Sequence, residues 1–269
     1  MKHLRSLVLA LTIASAPAAF GGAVVYSANG PNPASIQTVV DQFRSDLGTN
    51  NGVGGTFGSG RREINWDGVG AAFRNPHPSN FFNFNSPRGV EFTTPGTGFA
   101  VSGDVGSPQE LFADLVSFDP SLDFQPFSGQ RVFGILNSDQ MSVRFYVPGT
   151  STVATTNAFG VVFSDADAVP SVLTFFNESN TQIGQASIAA GANHSLSFLG
   201  VRFDAGERVA RVDIQAGSGA FNSGACIDCV VMDDFIFGEP QASAVPEPSS
   251  VVLSLAGLGL LAVARRGRK

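Results

Sequence analysis

Residues 195–214 read SLSFLGVRFDAGERVARVDI. Two strand-like runs, 195–203 and 208–214, flank the turn segment DAGE. In the second run Val212 and Ile214 alternate with Arg211 and Asp213. That period of two marks a strand with one face buried and one face wet. The signature recurs in both directions along the chain. Upstream lie RVFGIL (131–136), MSVRFYV (141–147), AFGVVFS (158–164), SVLTFF (171–176) and QIGQASI (182–188), the last two joined by NESNT as a hairpin. Downstream, VVMDDFIF (230–237) is the final strand. Strands spaced this way, with turns between them and no interleaved helices, predict an all-β fold. The simplest form is an antiparallel, jelly-roll-like β-sandwich.

The first half is less regular. Ile36, Val39, Val40, Phe43 and Leu47 fall at helical spacing in 33–47, with Asn32 placed to cap, Pro33 in the first turn and Gly48 as a stop. This amphipathic helix is expected to pack on a sheet edge or sandwich end. Residues 19–32 read as a flexible lead-in, and RREINWDGV (61–69) as a strand and turn. Trp66, the only tryptophan, is either a core residue beside Ile64 or a platform for stacking a sugar ring. NPHPSNFFNFNSPRG (75–89) reads as an irregular loop, pinned to the body or opened to a ligand by Phe81, Phe82 and Phe84. VEFTT (90–94) and FAVSG (99–103) around PGTG predict a hairpin. Leu111–Phe118 fits either a strand or a short helix. No repeat of solenoid type is present.

The two ends carry targeting chemistry. Lys2 and Arg5 precede the apolar run 7–16 and then Ala16-Pro17-Ala18, the pattern of a secretory signal peptide over 1–18, with Ala23 as a later cleavage option. At the other end, a linker over 240–250 leads to residues 251–264, which hold no charge. As a helix that segment spans ~21 Å, short of a ~30 Å hydrocarbon core. Ser249, Ser250 and snorkelling Arg265 and Arg266 extend its reach. Val251, Leu253, Leu255, Leu258, Leu260 and Leu261 form the expected transmembrane anchor, and Arg265, Arg266, Arg268 and Lys269 its basic cytoplasmic stop.

Val245-Pro246-Glu247-Pro248, the apolar segment and the basic cluster 265–269 together resemble the PEP-CTERM sorting signal of Gram-negative bacteria. The resemblance implies recognition by an exosortase in the inner membrane, cleavage near Pro-Glu-Pro, and an association with exopolysaccharide-producing cells. The same tail also carries an ice-binding protein C-terminal label in some family names. Ice binding itself calls for a flat threonine array, and Thr150, Thr152, Thr155 and Thr156 cluster in one segment only. The tail predicts an exported protein, held at the inner membrane before processing and then placed in the cell envelope or extracellular matrix.

The body between these ends, residues 33–239 with its lead-in, contains no lysine. Over 19–243 it has ten arginines against twenty-one acids, a net of −11. Such a surface argues against nucleic acid as a partner. The only two cysteines, Cys226 and Cys229, read first as a local disulfide in an exported chain. A redox or zinc role lacks the βαβ setting or the further cysteine ligands it needs. His77 and His194 read as surface loop residues, and no Gly-x-Ser-x-Gly elbow accompanies them.

Asp233-Asp234 interrupts an apolar strand, so strict alternation aims one of them at the buried side. A buried carboxylate needs a cation, an arginine or backbone donors. Asp165 and Asp167, at the end of another strand, are candidates to join Asp233 and Asp234 around a structural Ca²⁺. The sequence thus predicts an exported, non-catalytic module, structural or adhesive in the envelope or exopolysaccharide matrix. The alternatives are a carbohydrate-binding module with a defined glycan cleft, and a secreted glycoside hydrolase using paired carboxylates. A concave face with exposed aromatics favours the second; two acids in one cleft favour the third.

Overall fold

The computed structural model describes residues 22–221 and 229–243. In chain order the strands are β1 (Ala23–Gly30), β2 (Arg61–Ile64), β3 (Val90–Thr93), β4 (Gly98–Val101), β5 (Phe133–Leu136), β6 (Gln140–Tyr146), β7 (Val153–Thr155), β8 (Ala158–Ser164), β9 (Ser171–Phe176), β10 (Gln182–Ile188), β11 (Leu196–Phe203), β12 (Arg211–Gln215), β13 (Val231–Gly238) and β14 (Gln241–Ala242). They form two antiparallel sheets. The first runs β1-β11-β8-β13-β5-β4, with β2 also on β13; the second runs β10-β9-β12-β6-β7-β14, with β3 also on β6. From β8 onward the chain shuttles between the sheets, and only β9 and β10 follow one another as a paired hairpin.

Alternation builds the core. Met141, Val143 and Phe145 of β6, Leu173 and Phe175 of β9, and Val212 and Ile214 of β12 point inward from the second sheet. They meet Phe159, Val161 and Phe163 of β8 and Phe235 and Phe237 of β13. Each such side chain contributes roughly 1.5–3 kcal/mol by leaving water.

Helix α1 (Pro33–Leu47) forms as its sequence predicts. The Asn32 side chain accepts from the Ser35 N–H, and Gly48 closes the helix at φ 91°. Ile36, Val40, Phe43 and Leu47 are buried, and the helix covers the outer face of the first sheet over β1 and β11. Phe43 sits edge-on to Tyr26 and Phe198, at 5.0 and 5.5 Å between ring centroids. Gly160 and Gly200, opposite one another on β8 and β11, make that seat possible. A Cβ on either would lie 2.9 or 3.1 Å from the Phe43 ring.

Three expectations are corrected. Part of the flexible lead-in is strand β1, paired with β11 along its whole length. The hairpin over 90–103 does not form: β3 joins β6 in the second sheet while β4 joins β5 in the first. The loop 75–89 contains a helical turn, α2 (Phe81–Phe84), that buries Phe81 and Phe82 and leaves Phe84 exposed. The signal peptide over 1–18 and the anchor over 251–264 lie outside the described residues, as do Pro246, Glu247 and Pro248. Among the described residues no helix is long and apolar enough to cross a membrane.

Candidate functional site

The outer faces of the two sheets differ. That of the second sheet is open, and strand register gathers polar side chains on it. Gln185 of β10 stands opposite Thr174 of β9, Thr174 opposite Asp213 of β12, and Asp213 opposite Ser142 of β6. Hydrogen bonds hold the row as two pairs, one on either side of the Thr174–Asp213 step. The Gln185 Nε2 donates to Thr174 Oγ1 at 3.1 Å, and the Ser142 hydroxyl donates to Asp213 Oδ1 at 2.6 Å. Arg211 Nε donates to the same Asp213 oxygen at 2.8 Å, and the Arg211 guanidinium lies over the Phe176 ring, 4.0 Å from its centroid. That stacking holds the arginine and so orients the carboxylate.

The row floors a cleft of about 310 Å³, to which Gln140 and Gln215 add two more carboxamides and Pro95 a wall. Its size lies at the lower end of the range for small-ligand sites. The lining offers hydroxyl, amide and carboxylate groups, donors and acceptors in alternation, which is the chemistry that pairs with polyols. Asp213 is the one acid lining the cleft among the described residues, whereas carboxylate-pair hydrolysis needs two.

The outer face of the first sheet is covered. Along β13, Met232 and Phe235 both belong to the central core although three residues apart. The pairing with β8 shifts register between them. This bulge is why strict alternation fails: Asp233 and Asp234 both reach the same segment rather than opposite faces. Asp233 Oδ2 accepts from the backbone N–H groups of Phe127 and Ser128 at 2.6 and 2.9 Å. Asp234 accepts from the Ser128 hydroxyl at 2.5 Å and pairs with Arg44 of α1 at 2.5 Å. Arg44 also pairs with Glu63 at 3.0 Å. Burial, and then the neighbouring Asp234 charge, push the Asp233 carboxyl well above its ordinary range. Burial raises Asp234 as well, against the opposing pull of Ser128 and Arg44.

The calcium set does not assemble. Asp165 accepts from the His194 N–H at 2.8 Å, and Asp165 and Asp167 line a separate pocket of about 280 Å³ with Asp123 and Asn193. Asp233 Oδ2 is committed to backbone donors and Asp234 to Ser128 and Arg44, while Asp233 Oδ1 is buried without a hydrogen-bond partner among the described residues. No group of three or more His, Cys, Asp or Glu able to hold a metal occurs among the described residues.

Trp66 is core, not a platform. It is 1% exposed and stacks on Phe133 at 4.1 Å between centroids. His77 is buried rather than on the surface. Its Nδ1 lies 2.8 Å from the Phe73 carbonyl, and burial lowers its pKa. Cys229 is disulfide-bonded; Cys226 lies outside the described residues.

Sequence reasoning passed over the Gln185–Thr174–Asp213–Ser142 row. Each strand shows its outward residue, but only the register between strands aligns them.

Comparisons with known proteins agree with the tail and add little about the body. Residues 244–269 match the model of the PEP-CTERM protein-sorting motif. The chain carries this motif, which marks an exported protein sorted through exosortase. No curated protein matches the chain. Among solved structures, TmCBM61 in complex with β-1,4-galactotriose aligns at 12% identity and TM-score 0.28, covering 62% of this chain and 95% of its own. The lectin domain of lectinolysin, complexed with Lewis B antigen, aligns at 12% identity and TM-score 0.23, covering 55% and 94%. A two-domain protein of unknown function from Bacteroides fragilis aligns at 7% identity and TM-score 0.23, covering 54% and 47%. At these scores the likenesses carry no argument about what this chain binds.

Proposed function

We propose that this exported protein is a non-catalytic component of the cell envelope or exopolysaccharide matrix that holds saccharide in the cleft of its second sheet. It is anchored in the inner membrane by 251–264 until exosortase processes it near Pro246-Glu247-Pro248, and the body then works outside the cell. The observation that supports the reading is the polar row Gln185–Thr174–Asp213–Ser142 on an open sheet face, aligned by strand register and held by two hydrogen-bonded pairs, Gln185–Thr174 and Ser142–Asp213. A static array of this kind binds hydroxyls at little ordering cost, because its side chains already hold one another. The single lining acid favours binding over hydrolysis. Asp213 is charge-balanced by Arg211, so the ligand is a neutral glycan rather than a cationic one.

The test is a glycan array read with the full chain in mild detergent, followed by titration of any hit. Wild-type protein binds a neutral glycan. Asp213→Ala binds it about 10–100-fold more weakly, the effect of losing a charge-assisted hydrogen bond of ~1.5–3 kcal/mol. Binding unaffected by Asp213→Ala, or no glycan bound at all, overturns the cleft as a saccharide site. Release of reducing sugar from a bound glycan overturns the non-catalytic reading.

A further inference from the structure

A sheet edge is an unsatisfied row of backbone donors and acceptors, and folded proteins cover, shorten or bend such edges. This sandwich treats five of its six edges in that way. The β4 edge is covered by 74–77: His77 N–H donates to the Phe99 carbonyl and Val101 N–H to the Arg74 carbonyl, at 2.8 and 2.9 Å. The β2 edge is covered by 49–51, through Asn51 N–H to Arg61 O and Arg61 N–H to Thr49 O. On β3, the Phe92 N–H donates to Ser79 O. The β10 edge is broken by a register shift between Gln182 and Gly184. Strand β14 is two residues long.

Among the described residues the sixth edge, β1, shows none of these devices. It runs eight residues, AVVYSANG, without a charge, a proline or a register shift. Asp204 N–H donates to Gly22 O, and carrying the β1–β11 register one residue beyond Ala23–Phe203 sets Gly22 opposite Asp204. This fixes the phase of the ladder. Even-numbered residues bond β11, and the N–H and C=O groups of Ala23, Val25, Ser27 and Asn29 point away from the sheet. Among the described residues no backbone group outside β11 bonds to this strand. Within it, Val24 and Val25 are 38% and 54% exposed.

We propose that β1 is the surface through which two copies of this chain pair, edge to edge and antiparallel, about a two-fold axis at Tyr26. In the register of greatest overlap, Val25 of one copy stands opposite Ser27 of the other and Ala23 opposite Asn29. All four outward-facing residues of each copy are then satisfied. The strand itself brings no charge to its copy, the Asp46 carboxylate on the Tyr26 hydroxyl belonging to α1, and an antiparallel edge is self-complementary under a two-fold axis. The sorting motif brings every copy to the same membrane, which raises local concentration for a contact that is small in area. The pairing joins the first sheets of two molecules and leaves the second-sheet clefts free, so it is independent of glycan binding.

Proline tests this directly. At Val25 or Ser27 it removes an N–H that points outward and no β1–β11 hydrogen bond, a placement that edge strands tolerate. Sedimentation of the full chain in mild detergent, from about 1 to 500 µM, spans the weak-encounter range. Wild-type protein shows a concentration-dependent monomer–dimer equilibrium. Val25→Pro, Ser27→Pro and Val25→Lys each weaken it at least tenfold, with unchanged circular dichroism. Asp213→Ala dimerises as wild type does, and Val25→Pro binds glycan as wild type does. A wild-type chain that stays monomeric throughout, or a dimer that persists in both proline variants, overturns the proposal.

Discussion

The two outer faces of the sandwich use the same kinds of residue to opposite ends. Over the first sheet, Arg44, Glu63, Asp233 and Asp234 meet beneath α1 and the 127–128 segment; on the other side of β2, the side that Ile64 turns to the core, Arg62 pairs with Glu239 at 2.6 Å with both side chains almost fully buried. Over the second sheet, Arg211, Asp213 and Ser142 form equally short contacts in reach of solvent. The hydrogen bonds alone do not distinguish structure from site; the exposure of the aspartates does, 1% at Asp234 against 38% at Asp213. Charges removed from water must be fully paired, and disturbing one partner strands the other. Charges left in water keep their remaining donor and acceptor positions open to solvent, and a ligand hydroxyl can take the place of that water without disturbing the pairs.

The sharpest break in this contrast comes from Arg62. Its guanidinium donates to both Glu239 oxygens and to the carbonyls of Gly52, Gly54 and Gly55. Arg62→Ala leaves the buried Glu239 carboxylate without its counter-ion, with the Asn51 amide as its remaining side-chain donor, and strips three part-buried carbonyls of theirs; it is expected to cost about 3–5 kcal/mol in urea denaturation. A cost under about 1 kcal/mol would mean that this buried pair behaves like a surface one.

An intermediate effect is expected at Asp233. Its folded pKa is raised, so the native state holds a proton that the unfolded chain has released. The stability this group contributes is fully present below the ordinary carboxylate value and is lost as pH rises through the raised folded value. Asp233→Asn keeps an oxygen for the Phe127 and Ser128 N–H groups and removes the titration. Thermal melts should show the variant gaining on wild type as pH rises above about 4. An identical pH dependence in the two proteins would show that Asp233 does not titrate in this way.

The smallest expected change is the stability of Asp213→Ala. The Arg211–Asp213 pair is part-exposed at 17% and 38%, and its removal should shift unfolding by less than about 1 kcal/mol. That holds even though glycan binding is expected to fall steeply. A large loss of stability would instead make the row part of the scaffold.

Much of this was legible where local chemistry is strong. Asn32, Pro33 and Gly48 bound α1 as capping rules require, and the alternation in MSVRFYV and RVDI marks which residues of β6 and β12 enter the core. Legibility failed where tertiary context decides. AVVYSANG has too little period to declare itself a strand, and β11 supplies what it lacks. PGTG carries hairpin chemistry, yet Thr97 N–H bonds the Leu136 carbonyl, and a Cβ on Gly96 would lie 2.1 Å from that same oxygen. The segment is thus threaded against β5 instead of folding back. The bulge at Asp233-Asp234 defeats a period-two reading for the same reason: it exists only against β8. The cleft row stayed hidden because its residues are spread from 142 to 213 and meet through register alone.

The way the body hands over to its C-terminal segment carries a mechanical consequence. Ser243 N–H donates to the Val153 carbonyl, Gln241 and Ala242 clasp β7, and Glu239 is locked to Arg62 just before them. Traction transmitted through residue 243 therefore meets a short clasp that peels bond by bond, and next a desolvated ion pair that resists as a unit. Only after both give way does tension reach β13, which lies between neighbours in the first sheet. A tug on the tether should be absorbed at the rim before the interior feels it.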